Sequence, residues 1–186
     1  MPRFYTRRNN NRIPQHDYSK PGHYFVTICT QNRREMFGAI INNQMILNNT
    51  GCMVNSWWRK MFVKYKNISM NAYIVMPNHI HGIIHIVGAG SPRPCDDIAC
   101  DGIGRGNRAP TIGHMVAYFK YQSTKQINKS RNTPGKQIWQ RNYYDHIIRN
   151  DRSLYRTRQY IKTNPFTWEY DRENPNNRLA PLRTLS

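Results

Sequence analysis

The chain has 186 residues, which is enough for one domain but too few for two independent hydrophobic cores. Its 28 lysines and arginines outnumber 10 aspartates and glutamates, and the formal net charge of +18 favours a polyanionic partner, above all a nucleic acid. The four cysteines form no Cys-x-x-Cys pair and no secretory or membrane-spanning segment is recognisable, so reduced thiols and a cytoplasmic location are expected.

The chain opens with a basic segment and then turns to strand-forming residues. Residues 1–22 carry four arginines and an asparagine run but almost no aliphatic side chains, so they are predicted to form a flexible arm. Aromatic and β-branched residues then predict a strand over His23–Thr30 and a shorter one over Met36–Ile41.

A helix is predicted next. Apolar residues recur at three- and four-residue intervals as far as Tyr65, which is typical of an amphipathic helix, and Thr50 is placed to cap it. Its two tryptophans, Trp57 and Trp58, lie at helical spacing. Packing in the core is therefore favoured over the alternative of base stacking.

Two β-rich runs between Asn71 and Val87 flank Pro77-Asn78 and predict a tight hairpin at the centre of the sheet. Gly, Pro, Asp and Arg dominate residues 88–110, which predicts a mobile surface loop within the same domain.

The second strand of that hairpin carries His79-Ile80-His81. Alternate side chains of a strand share a face, so both imidazoles are expected within reach of one metal ion. His85 shares the face but lies roughly 13 Å along the strand from His79, too far to complete that site. A histidine pair with a structural role is the alternative interpretation, although placing polar rings in an apolar strand costs desolvation energy that a ligand would explain.

Further along the chain, Thr111 opens a second predicted helix that leaves Lys120 and Lys125 to solvent or phosphate. Ile138–Ile148 is expected to form a strand leading into a turn. A last helix, capped by Asn150 or Asp151, is predicted over about 153–163 and ends before Asn164-Pro165, because the residue before a proline avoids helical geometry. Residues 167–186 are predicted to be a polar tail.

Tyr160 and Asn164 are four residues apart near the end of the last helix, so a phenol and an amide oxygen address one point. A phenol with a pKa of about 10 is a poor nucleophile at neutral pH unless a cation or a metal stabilises the phenolate. Lys162, Arg156 and a metal are the candidate cations. A packing tyrosine is the alternative.

With these residues in view, the chain resembles the REP-associated tyrosine transposases, a branch of the insertion-sequence-200-like single-strand transposases of the HUH superfamily, in which U is a bulky apolar residue. Three ordered blocks between about residues 22 and 166 carry the resemblance. They are Tyr73-Ile74-Val75-Met76-Pro77-Asn78-His79-Ile80-His81, then Trp139-Gln140-Arg141 through Tyr143-Tyr144-Asp145-His146-Ile147-Ile148-Arg149, and Tyr160-Ile161-Lys162-Thr163-Asn164-Pro165.

The resemblance implies an α+β fold, a single domain over residues 22–166 with a central antiparallel β-sheet of the ferredoxin- or RRM-like HUH type flanked by α-helices. It implies Tyr160 as nucleophile, with His79, His81 and Asn164 as ligands of Mg²⁺ or Mn²⁺. The implied reaction is cleavage and rejoining of single-stranded DNA next to hairpins through a 5′-phosphotyrosine intermediate.

The implied partner is single-stranded DNA with a REP-like hairpin, and the implied assembly is a monomer or a homodimer. Candidate DNA contacts are the basic arm with Arg7, Arg8 and Arg12, the lysines Lys120 and Lys125, and the tail. The loop 88–110 departs from compact relatives.

The principal alternative is a non-catalytic, sheet-based nucleic-acid-binding protein, as a domesticated transposase would be. A replication initiator or relaxase fits the spacing of Tyr160 and Asn164 less well. A two-metal nuclease built on carboxylates is the least favoured enzyme, because no acidic residue lies near the histidine pair in sequence.

Overall fold

The computed structural model describes residues 20–87 and 111–177. A four-stranded antiparallel sheet in the order β4-β5-β1-β6 dominates this part of the chain, beside a separate β2-β3 hairpin and three α-helices. The elements are β1 (Gly22–Cys29), β2 (Gly38–Ile41), β3 (Gln44–Leu47), α1 (Asn49–Lys64), β4 (Ile68–Val75), β5 (His79–Ile86), α2 (Ile112–Arg131), β6 (Tyr144–Ile148) and α3 (Asp151–Thr163), followed by a 3₁₀ segment, Asn164–Tyr170. The predicted α+β fold is confirmed.

The main core lies on one face of the sheet, under α1 and α2. Alternate residues of β1, such as Val26 and Ile28, point into it and are fully buried. Trp58 of α1 is also fully buried there and packs against Gly82 of β5, where an added Cβ would lie 2.2 Å from the indole Cζ2 atom. The predicted core role of Trp58 is confirmed. Because of this contact, position 82, directly after the histidine pair, has room only for glycine.

The other face of the sheet is covered in part by α3. A second, smaller buried cluster joins this helix to β5 and β6, and its members are Ile83, Ile148, Leu154 and Ile161. Strand alternation places His79 and His81 on this same face, because they share the parity of Ile83. The histidine pair and the tyrosine helix therefore meet on the side of the sheet that the main core does not use.

Asparagine side chains cap two of the helices, α1 and α3, whereas Thr111 at the start of α2 makes no capping hydrogen bond through its side chain. The side chain of Asn48, not that of Thr50, caps α1 by accepting a hydrogen bond from the Gly51 amide at 3.0 Å, so the predicted cap was wrong by two residues. The Asn150 side chain caps α3, as expected, by accepting a hydrogen bond from the Ser153 amide at 2.8 Å. Sequence alone did not rank the adjacent asparagine, threonine and glycine residues at the start of α1.

Two strand predictions needed correction. The predicted strand Met36–Ile41 is shorter, and it pairs with β3, which was missed, through a turn at Asn42-Asn43 with φ of 50° and 60°. The predicted strand Ile138–Ile148 reduces to β6. Its first part is irregular, and there the Lys120 ammonium donates hydrogen bonds to three successive backbone carbonyls, at 2.9, 3.4 and 3.0 Å.

The basic arm with Arg7, Arg8 and Arg12, the whole loop 88–110 and the end of the tail lie outside the described residues. Among the helices of the described ranges, none has the length and the apolar character that a bilayer crossing requires.

Candidate active site

The histidine pair lies side by side near the start of β5. His79 and His81 have 0% and 2% of their surface exposed, and their ring centroids are 4.3 Å apart. The carboxylate of Asp171 joins them, and one ligand atom from each of the three residues lies within 4.8 Å of the other two. These three buried side chains form a group that could hold a metal ion.

Neighbouring hydrogen bonds fix the proton of His79. The side-chain amide nitrogen of Asn78 donates hydrogen bonds to the backbone carbonyls of Arg33 and Glu173, at 3.1 and 2.7 Å. Its amide oxygen therefore faces His79. That oxygen only accepts, and the imidazole Nδ1 therefore donates to it at 2.7 Å. The lone pair is left on Nε2, a buried atom without a hydrogen-bond partner in the described part of the chain.

His81 is held from both sides. Its Nδ1 lies 2.8 Å from the hydroxyl oxygen of Thr27, its cross-strand neighbour on β1, and its Nε2 lies 3.1 Å from the Tyr160 hydroxyl. Burial lowers the pKa of both imidazoles: that of His79 falls to about 3, with Arg33 a lesser cause, and that of His81 falls well below its usual range, with His79 a lesser cause. Both rings are neutral near pH 7 and are fit to ligate a metal.

The phenol of Tyr160 points at this group from α3. Its hydroxyl lies 3.4 Å from Asp171 Oδ2 as well as 3.1 Å from His81, and 43% of the residue surface is exposed. Burial raises the pKa of the phenol above its ordinary value, and the Asp171 carboxylate raises it further. The charge beside the phenol is thus negative, whereas the sequence had suggested Lys162 and Arg156 as stabilising cations.

Asn164 follows the last residue of α3 and is completely buried. Its amide nitrogen donates to Asp171 Oδ2 at 2.7 Å, and its Oδ1 atom has no hydrogen-bond partner within residues 20–87 and 111–177. The predicted convergence of Tyr160 and Asn164 is therefore present, with Asp171 between them.

Asp171 was missed by the sequence reasoning. It lies in the predicted polar tail, yet it is 6% exposed, and its other oxygen accepts the backbone amide of Glu173 at 2.6 Å. The 3₁₀ segment after Pro165 turns the chain back towards β5 and delivers this carboxylate. No spacing rule connects Asp171 to the histidine pair; the nearest signal was the pair of aromatic residues, Trp168 and Tyr170, in an otherwise polar stretch.

Other predicted positions lie away from the site. His85 lies near the end of β5 and stacks on His23, its partner on β1, with 4.1 Å between the ring centroids. As expected, it does not belong to the group formed by the histidine pair. The Lys120 ammonium is engaged by backbone carbonyls, whereas Lys125 is exposed and lines a cleft at the end of α2.

The residues present fit a divalent cation. Two neutral imidazoles and a carboxylate supply mixed nitrogen and oxygen donors, and two buried atoms beside them, His79 Nε2 and Asn164 Oδ1, lack partners within the described ranges. A buried acceptor without a donor costs free energy, which a bound cation would remove.

Comparison with known proteins gives relatives across most of the chain, although no protein-family model matches it. The chain is 35% identical over 167 residues to a Haemophilus influenzae protein named "Uncharacterized protein", covering 88% of this chain and 91% of that one. It is 26% identical over 162 residues to a second Haemophilus influenzae protein, named "Putative REP-associated tyrosine transposase", covering 83% and 76%. A solved REP-associated tyrosine transposase bound to a REP hairpin shares the fold, with a TM-score of 0.55 at 22% identity over 86% of this chain and 76% of that one.

Proposed function

We propose that the chain is a REP-associated tyrosine transposase and that it cleaves and rejoins single-stranded DNA next to hairpins, with Tyr160 as the nucleophile. A relative of that name at 26% identity, and the fold shared with a solved transposase of that name, support the proposal. The observation that carries the proposal is the position of the Tyr160 hydroxyl, 3.1 Å from one of two neutral histidines that share a buried carboxylate. This contact between the hydroxyl and the candidate metal group supports a role as nucleophile over a packing role alone.

The reaction conserves phosphodiester bonds. Tyr160 Oη attacks the scissile phosphorus, and the bond from phosphorus to the 3′ oxygen of the preceding nucleotide breaks. The product is a 5′-phosphotyrosine and a strand that leaves with a free 3′-hydroxyl, which takes up a proton. Attack by a 3′-hydroxyl on the phosphotyrosine reverses the step, so no external energy source is required.

Asp171 is the proposed proton acceptor in this scheme, besides being a candidate metal ligand. Its Oδ2 atom, 3.4 Å from the phenol, is placed to accept the proton that Tyr160 loses. The hydrogen bond from Asn164 to the same oxygen, at 2.7 Å, holds the carboxylate in that position. Because the pKa of the Tyr160 phenol is raised, the proton stays on the phenol oxygen at neutral pH when no cation is bound.

The metal ligands in this proposal are His79, His81 and Asp171, with Asn164 Oδ1 as the further donor that the sequence suggested. A divalent cation such as Mg²⁺ or Mn²⁺ held there would polarise the scissile phosphate and offset the charge that raises the pKa of the phenol. Thr27 and Asn78 orient the two imidazoles from behind, as outer ligand shells do in metal sites.

The DNA partner is proposed from charge and from the relative of known structure. That transposase is bound to a REP hairpin, and the net charge of +18 on this chain suits a phosphate backbone. Hairpins from the DNA around its own gene are accordingly the first substrates to test.

The test is incubation of the purified protein with labelled oligonucleotides of that kind plus Mn²⁺, followed by denaturing electrophoresis. We expect a covalent protein–DNA adduct that is lost with chelator and in Tyr160→Phe. Tyr155→Phe is the matched control, because Tyr155 is an exposed tyrosine of the same helix on a different side. An adduct that survives in Tyr160→Phe would refute the nucleophile, and tight binding without any adduct would favour the non-catalytic binding protein.

A further inference from the structure

Beside the candidate active site, the sheet carries aromatic rings that the cleavage reaction does not use. Phe25 of β1 contacts three other rings, with centroid distances of 5.2 Å to His81, 6.1 Å to Tyr160 and 6.4 Å to Tyr144. Phe25 thus connects the nucleophile to an aromatic residue on the edge strand β6.

The strand register places Tyr144 in a row with the site. Tyr144 pairs with Thr27, and Thr27 pairs with His81, so the three residues are direct neighbours across β6, β1 and β5. Cross-strand neighbours lie on the same face, and two strand spacings separate Tyr144 from His81 by ~10 Å. Tyr144 is therefore on the same face as the histidine pair, where the proposed function places the scissile phosphate.

This part of the face is open. Tyr144 is 44% exposed and Tyr160 is 43% exposed, although both are large aromatic residues. The two phenol rings are inclined at 69° and 77° to the ring of Phe25, so each makes an edge contact with it. A flat ligand that reaches Tyr160 from the side of β6 would meet the ring of Tyr144.

Exposed arginines flank β6 and lie on α3. Arg141 precedes β6, Arg149 follows it, and Arg156 lies one turn before Tyr160 on the same face of α3; all three side chains are exposed. Exposed aromatic rings among cations on a sheet surface are the arrangement by which proteins bind single-stranded nucleic acids, stacking the bases while cations track the phosphates.

We propose that Tyr144 is a stacking platform for a nucleobase next to the scissile phosphate, with Phe25 supporting its ring through an edge contact. The inference rests on the proposed function, because single-stranded DNA is the ligand that brings a base to this place. Stacking orients the strand so that its phosphate reaches Tyr160, and it tolerates different bases because each has a flat π face.

The test measures binding without cleavage. A labelled DNA hairpin with single-stranded thymidine extensions is titrated with the full chain in chelator, and its anisotropy is followed. We expect Tyr144→Leu to weaken binding about 5- to 150-fold, the range for loss of one stacked base, and Tyr144→Phe to stay near wild type. Tyr155→Leu is the matched control and should change little, since Tyr155 is an exposed aromatic residue on another side of α3.

A second measurement identifies the base. One abasic nucleotide is moved along the extension, and at one position we expect the wild type to lose as much affinity as Tyr144→Leu does. That abasic position should cost Tyr144→Leu nothing further, because ring and base act as a pair. Additive losses at every position, or an equal loss in Tyr144→Phe and Tyr144→Leu, would overturn the platform.

These results are separable from the test of catalysis. Formation of the Tyr160 adduct together with unchanged binding by Tyr144→Leu would leave the cleavage mechanism standing and refute the platform. The non-additive loss without any adduct would support the platform and refute the cleavage mechanism. A thermal melt of Tyr144→Leu that matches wild type would show that the lost binding is not lost folding.

Discussion

Tyr160 and Asp171 face each other across 3.4 Å, and the carboxylate disfavours the phenolate that a nucleophilic tyrosine must become. A phenolate beside an ionised carboxylate at that distance is stabilised when a cation lies with them. The geometry therefore couples ionisation of the phenol to occupancy of the histidine–aspartate group.

The first prediction concerns Asp171→Asn, which keeps the shape of the side chain and removes its charge. We expect Mn²⁺ affinity, measured by calorimetric titration, to fall at least about tenfold, because an anionic oxygen ligand is replaced by a neutral amide. Glu173→Gln is the control, since the Glu173 carboxylate pairs with Arg33 at 3.0 Å. Equal Mn²⁺ affinity in wild type and Asp171→Asn would remove Asp171 from the ligand set.

The second prediction concerns acid. The folded-state pKa of His79 is lowered to about 3, below its unfolded value of about 6.5, so below pH 6.5 the unfolded chain takes up a proton that the folded chain does not. Stability in chelator should fall as pH drops from 6.5 towards 3, by about 2 kcal/mol at pH 5 for this histidine alone.

Urea unfolding at pH 7 and pH 5 measures that loss. His79→Gln should show a smaller difference between the two pH values than wild type, because the variant has lost the buried neutral imidazole. His114→Gln, which changes an exposed histidine of α2, should keep the wild-type difference. A His79→Gln protein with the wild-type pH dependence would contradict the assignment of a buried neutral ring.

The third prediction concerns Gly82→Ala. The added Cβ would lie 2.2 Å from Trp58 in a fully packed core, and overpacking of this kind costs about 1–3 kcal/mol of unfolding free energy. In a Trp58→Leu background the same substitution should cost less, because the indole that it strikes is gone. Urea unfolding of the four proteins measures this, and equal costs in both backgrounds would show that the clash is relieved elsewhere.

The parts of the site that sequence predicted are those within single regular elements. His79 and His81 follow from strand alternation, and Tyr160 with Asn164 follows from helical spacing, because both periodicities fix side-chain direction over a few residues. Their meeting on one face required the tertiary fold and was expected only from the family resemblance.

Asp171 could not be predicted in the same way. Its direction depends on the 3₁₀ segment that begins at Asn164 and on where that segment sends the chain, which no local period encodes. The sequence failed to predict β3 for a related reason. This strand has four residues in which exposed and half-buried side chains alternate, so its apolar signal is weak. The asparagine pair Asn42-Asn43 before it is typical of a hairpin turn.

The candidate site is built from two separate segments of the chain, which are held together by the small buried cluster of Ile83, Ile148, Leu154 and Ile161. Tyr160, Asn164 and Asp171 belong to one continuous stretch, while the histidines belong to β5, and Ile161 is one of only a few buried residues that join the two within the described ranges. A cavity made there would loosen the seating of one piece on the other before it unfolds the main core. In the proposed cleavage reaction, the rate would then report the fraction of molecules in which the two pieces are joined. A substitution of Ile161, which takes no part in the reaction, would lower the rate without altering the chemistry.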